Sequence, residues 1–271
     1  MAGFFGMFDY SRPGRGVDKD APQKRGFFLF FDILFRKFWR IVTLSCAHAL
    51  VSLPSMVIYF FLAMLWQSLF RVWDNDRLTV YVSIYATLLL TSFISAGPAG
   101  AGLCYVLRNF SRESHAWVWD DYWSHVKENL GKGLVVFLLD IIIIVGLVSA
   151  AYLYFVMPLP LPPLITAFLG FFTLIMLAVY IMMHSFLYVL MVTYDMKFGQ
   201  LFRTAMQLTL AKLFPCAVVY ILALVAFAAF LTLYFINVAF LTAFVALGFA
   251  FVPFIYFYYA TSVVDAYNRG E

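Results

Sequence analysis

Asp140 is the one carboxylate placed inside an apolar stretch of this chain. An unpaired charge there costs roughly 3 kcal/mol even on lenient insertion scales, so the group must be neutralised or given a partner. His48 lies eight residues past Arg40, and Asp140 lies eight past Lys132. At about 1.5 Å per helical residue, both sit roughly 12 Å from the basic end of their segments. His184, eleven residues before Asp195, has a comparable depth. Together, these three side chains can relay a proton or hold a polar ligand. Taken singly, each can instead be satisfied by a backbone carbonyl, a hydroxyl or a headgroup.

The run Gly97-Pro98-Ala99-Gly100-Ala101-Gly102 is the second unusual stretch. A proline and three glycines within six residues predict a kinked or broken helix. Such a break survives in lipid only where protein or a polar cavity covers it. It can aim backbone groups at a substrate, or let two helices touch through small residues at Gly97, Pro98, Gly100 and Gly102, which is the favoured reading. No HExxH, GxSxG, Walker lysine or Cys/His cluster at metal-ligand spacing occurs in the chain. The expectation is therefore a protein with no catalytic residues, no bound metal and no cofactor. Cys46, Cys104 and Cys216 all fall in apolar stretches, and their odd number argues for buried, inert thiols rather than a disulfide framework.

The elements that must carry these groups are membrane helices. Of 271 residues, 65% are hydrophobic and only 12% charged, against about 25% charged in a soluble domain. The predicted fold is an all-α, polytopic membrane helix bundle with six transmembrane helices and amphipathic interfacial helices. An arm, 1–40, precedes a membrane domain, 41–264, and a tail, 265–271, follows it. Charge-free runs long enough to cross the hydrocarbon core place the spans at about 41–66, 78–107, 134–156, 164–194, 213–235 and 238–264. The last two are divided near Ile236-Asn237. Met157 to Pro163 carries four prolines and predicts a short polyproline-like turn between the third and fourth spans. About 25 mixed residues precede the first apolar run, unlike a cleavable signal peptide.

Sixteen of the 18 lysines and arginines fall on one side of this arrangement, and only Arg71 and Arg77 on the other. By the positive-inside rule both termini are expected in the cytoplasm. Trp39, Trp66, Trp73, Trp117, Trp119 and Trp123 fall at span ends or in connections, where an amphipathic indole prefers to sit. The expected surroundings are a lipid bilayer, with no nucleic acid.

Phe27, Phe28, Phe31, Leu34, Phe35 and Phe38 recur at helical spacing beside Lys24, Arg25, Arg36, Lys37 and Arg40, which describes a helix lying at a headgroup surface. The stretch after the second span, with Arg108, Arg112, Trp117, Trp119, Asp121 and Trp123, has the same character and is the candidate docking surface. Asp32 to Phe35, Asp120 to Trp123 and Asp195 to Phe198 each pair an acid with an aromatic three residues on. They suggest a threefold repeat of an interfacial helix followed by two spans, although any interfacial helix needs acid, aromatic and base.

Pro13-Gly14, Lys19-Asp20, the Phe-rich run to Phe38-Trp39, Leu53-Pro54, Gly97-Pro98-Ala99-Gly100, Arg108-Asn109, Arg112, Asp121-Tyr122 and the basic helix ending near Lys132 occur in this order. In that order the chain resembles the YesL-like family of bacterial integral membrane proteins, defined by a domain of unknown function. Where that family often carries an early asparagine in the first span, this chain has Ser45. The resemblance implies a multi-pass protein of the bacterial plasma membrane, found beside carbohydrate ABC transporters. It thereby implies an accessory or assembly subunit that docks on ABC transporter permease subunits. The alternative expectation, from the residues alone, is a small-solute transporter or channel using Asp140, His48 and His184.

Overall fold

The computed structural model describes residues 26–72, 76–94, 96–236 and 240–269, and its regular elements are all helical. The arm before Gly26, Trp73 and Asn237 lie outside the described residues. In chain order the helices are α1 (Phe27–Arg36), α2 (Phe38–Val51), α3 (Leu53–Phe70), α4 (Asp76–Phe93), α5 (Pro98–Ser111) and α6 (Val118–Glu128). They continue with α7 (Leu130–Val156), α8 (Pro163–Met191), α9 (Phe198–Ala211), α10 (Leu213–Ile236), α11 (Phe240–Ala243) and, after a π-helical turn at Phe244–Gly248, α12 (Phe249–Arg269). Helices α3, α7, α8, α10 and the π turn with α12 are each long and apolar enough to cross a membrane. The bent pair α4 and α5 passes the same test only as a pair, so the crossings number five, or six if the pair is one broken span.

Three short amphipathic helices, α1, α6 and α9, each lead into an apolar hairpin through one residue. Lys37 (φ −105°, ψ 16°), Asn129 (φ −100°, ψ 18°) and Lys212 (φ −117°, ψ 30°) leave helical geometry in the same way. Each hinge N–H still donates to the carbonyl four residues back, at 2.8, 3.1 and 3.0 Å, and each hinge carbonyl accepts the N–H four residues on, at 3.0, 2.8 and 3.0 Å. The chain therefore turns from surface to membrane without giving up backbone hydrogen bonds, as lipid demands. The repeat is a backbone feature. Asp32, Asp120 and Asp195 stand five, nine and seventeen residues before their hinges, so the acid-aromatic pattern is out of register among the units.

Two spans differ from their charge-free stretches. The first apolar run breaks at Ser52, leaving α2 as a 14-residue helix packed into the bundle and α3 alone as the spanning helix. Pro54 explains the restart: it lacks an N–H and sits in the first turn of α3, where none is needed. The second run bends by 51° between α4 and α5. Gly97 adopts φ +62°, a conformation that a residue with a Cβ resists, and Pro98 starts α5. The bend frees carbonyls inside the bundle. Tyr256 Oη donates to the Ser92 carbonyl at 2.7 Å and Tyr188 Oη to that of Gly97 at 3.1 Å, so protein covers the break.

The proline-rich connection is extended at both ends, at Met157 (ψ 138°) and Pro162 (ψ 140°), before Pro163 opens α8. In the last span 61% of the apolar window is buried, against 17–22% in the four other unbroken spans, so α12 is the central post of the bundle. Beside it, Ser45 Oγ of α2 donates to the Val245 carbonyl in the π turn at 2.9 Å. Phe214 and Leu164, 84% and 82% exposed, show the outward apolar surface that suits lipid.

Candidate functional site

Asp140 lies eleven residues beyond the Asn129 hinge on α7, and α8 returns antiparallel beside it through the short proline turn. That pairing sets His184 against Asp140, both buried, with His184 Nε2 2.6 Å from Asp140 Oδ1. Tyr180, one turn before His184 on α8, donates its hydroxyl to the same Oδ1 at 2.8 Å. His184 Nδ1 is 2.9 Å from the Tyr180 carbonyl, which can only accept, so Nδ1 carries a hydrogen. Nε2 then meets the carboxyl in one of two ways. It is the second N–H of an imidazolium facing a carboxylate, or a lone pair facing a protonated acid. Either way one proton lies on the 2.6 Å line between base and acid, a geometry that can hold and release it.

His48 holds the equivalent place in the first unit, eleven residues beyond Lys37, while the third unit has Ala223 there. Its Nδ1 lies 3.1 Å from the Tyr122 hydroxyl of α6. The structure does not put His48 in direct contact with Asp140. It does put His48 and His184 on the wall of one small void, about 20 Å³, closed by Gly100, Tyr188 and Tyr256. That volume suits about one water. A polar series thus runs from Tyr122 to His48, across the void to His184, and on to Asp140.

On its other side Asp140 borders a much larger cavity of about 520 Å³ between α3, α4, α7 and α10, walled mainly by aliphatic and aromatic side chains. Tyr59 Oη, Gln67 Oε1 and Asp140 Oδ2 are buried polar atoms without a hydrogen-bond partner among the described residues, and all three residues line it. Tyr180, Tyr122, Tyr59 and Gln67 were missed by sequence reasoning. Only Tyr180 carried a usable signal, a hydroxyl four residues before an intramembrane histidine.

The glycines at the bend make close contacts. A Cβ on Gly100 would lie 3.0 Å from the Tyr188 ring, and one on Gly102 2.6 Å from the Tyr122 carbonyl. Gly133 of α7 admits Pro98 in the same way, with a built Cβ 2.7 Å from the Pro98 Cα. This segment packs α5 against α6, α7 and α8, and it frames the void beside His48 through Gly100.

The basic residues of the docking stretch are tied into the protein. Arg108 is buried, donating to the Val192 carbonyl at 2.7 Å and to Thr193 Oγ1 at 2.9 Å. Arg112 forks onto both carboxylate oxygens of Asp265 on α12, at 3.1 and 2.5 Å. Arg36 pairs with Glu113, whose carboxylate raises the guanidinium pKa, and Lys132 reaches Asp195 at 3.0 Å. Asp121 accepts the Trp117 N–H at 2.8 Å and so caps the start of α6. Trp117, Trp119 and Trp123 remain exposed along α6. One expectation changes here: Cys46 is exposed because Ser45 and His48 take the inward side of α2, while Cys104 and Cys216 are buried. His125 lies flat against the Tyr105 ring at 3.3 Å.

Residues 78–151 match the family model described as "Protein of unknown function, DUF624", a match over part of the chain that supports the YesL-like assignment. The matched segment includes the Gly97 bend, the indole-bearing α6 and Asp140, but neither histidine of the polar series. No curated protein and no solved structure matches the chain.

Proposed function

Taking the DUF624 relationship as the premise, we propose that this multi-pass membrane protein carries a small solute across the bilayer, with Asp140 and His184 as its polar site and both termini in the cytoplasm. One observation carries the reading: a histidine and a carboxylate paired at 2.6 Å inside two membrane-crossing helices. Burying two ionisable groups in that setting stabilises a fold less than apolar packing would, so retaining them points to use. The water-sized void on one side and the large cavity on the other give the pair access to both.

Proteoliposomes containing the pH-reporting dye pyranine test this reading when challenged in turn with sugars, amino acids and alcohols. A solute-evoked pH change that Asp140→Asn strongly slows supports it. Silence with every solute, together with copurification of ABC permease subunits after mild crosslinking, favours the accessory role in carbohydrate uptake instead. The exposed indoles of α6 support that second reading, because aromatic anchors suit a docking surface.

A further inference from the structure

We infer that the cavity of about 520 Å³ beside Asp140 binds an uncharged lipophile that carries a hydroxyl head on a hydrocarbon body, with the hydroxyl seated between Asp140 Oδ2 and Tyr59 Oη. As a binding site this stands on the cavity alone. As a statement of substrate class it rests on the transport reading above.

Size comes first: pockets for small organic molecules occupy about 300–1,000 Å³, and this cavity falls in that range. The wall supplies the body's chemistry. Leu62, Leu89, Leu90, Ile144, Val148 and Phe227 present hydrocarbon, and the few polar groups on the wall cannot pair with all the hydroxyls of a sugar ring. A ligand rich in hydroxyls would leave most of them unsatisfied, at about 1–3 kcal/mol each.

The unsatisfied atoms supply the head's chemistry. Asp140 is fully buried, Tyr59 2% exposed and Gln67 5% exposed, yet Oδ2, Oη and Oε1 have no partner among the described residues. Buried polar atoms in folded proteins are nearly always paired, so three on one cavity wall mark places where a ligand or water completes the set. Asp140 Oδ2 and Gln67 Oε1 accept, whereas Tyr59 Oη can do either. An alcohol donates to Asp140 while accepting from Tyr59, which a ketone or an alkane cannot do.

Charge excludes an ammonium head. Asp140 already has a basic partner in His184, and a further cation in this apolar wall would lack a counter-charge. Length agrees with a chain rather than a compact molecule. Tyr59 and Gln67 stand eight residues apart on α3, so the cavity runs roughly 12 Å along that helix.

The test is photolabelling of the full-length protein in nanodiscs with n-decanol bearing a terminal diazirine, read by peptide mass spectrometry. Labelling is expected on cavity residues of α4 and α7, with n-decanol competing at least tenfold better than decanone or n-decane. Ala86→Trp, or Val145→Trp from the facing helix should the first not fold, fills the cavity and is expected to remove the label. Labelling of Phe214 and Leu164 as strong as that of the cavity, persistence of the label in both plugged variants, or n-decane competing like n-decanol overturns the inference. Labelling confined to the cavity without any n-decanol-evoked pH change leaves the binding site standing and overturns the statement of substrate class. Solute-evoked, Asp140-dependent pH change with no cavity label retains transport and overturns this site.

Discussion

At Asp140 one carboxyl oxygen has two hydrogen-bond partners and the other has none among the described residues, and this asymmetry gives the site both its stability and its opening. Removing His184 leaves a buried acid without its base, which costs about 3–5 kcal/mol. His184→Ala is therefore expected to unfold far more readily in a nanodisc thermal melt, and Asp140→Leu with His184→Leu to recover most of the loss. A double variant as unstable as His184→Ala would mean that the pair is not coupled. The depth of both groups was legible from counting residues out of the basic segments, because a helix rises by a fixed amount per residue. Their pairing was not, since depth says nothing about which way a side chain turns about the helix axis. That rotation is set by the packing of α7 on α8, and it separates His48 from Asp140 although the two occupy equivalent positions in their units.

The elements were legible where charge ends an apolar run, which is why α7, α8 and α10 fall close to their sequence-derived spans. The break at Ser52 was not, because no charge interrupts 41–70 and only Pro54 marks the new helix. At the Gly97 bend the composition did predict a break, and the geometry adds what it is for. Gly133 and Pro98 are in backbone contact, so Gly133→Ala is expected to destabilise the protein by about 1–3 kcal/mol through overpacking. Gly131, two residues earlier on α7, has open space at its Cβ, and Gly131→Ala should be neutral or gain up to about 1 kcal/mol from helix propensity. Thermal melts of the two variants side by side check both. Equal destabilisation would show that helix α7, rather than its contact with α5, is what the substitutions disturb.

Across the whole molecule, three hinge residues with one geometry join three surface helices to three hairpins, and α12 of the last hairpin stands at the centre. Ion pairs bind the units together on the basic side: Arg36 to Glu113, Arg112 to Asp265 and Lys132 to Asp195. By the positive-inside rule, a fusion partner after Glu271 is predicted to lie in the cytoplasm. Green fluorescent protein fused there should fluoresce and alkaline phosphatase should stay inactive; the opposite pattern would invert the bundle and the assignment of its docking face. The most direct measurement on the central claim is the initial rate of solute-evoked pH change in proteoliposomes holding equal amounts of wild type and Asp140→Asn. A charge-assisted hydrogen bond is worth about 1.5–3 kcal/mol, so the variant should be roughly ten- to a hundred-fold slower. Equal rates in the two preparations would contradict a working role for the Asp140–His184 pair.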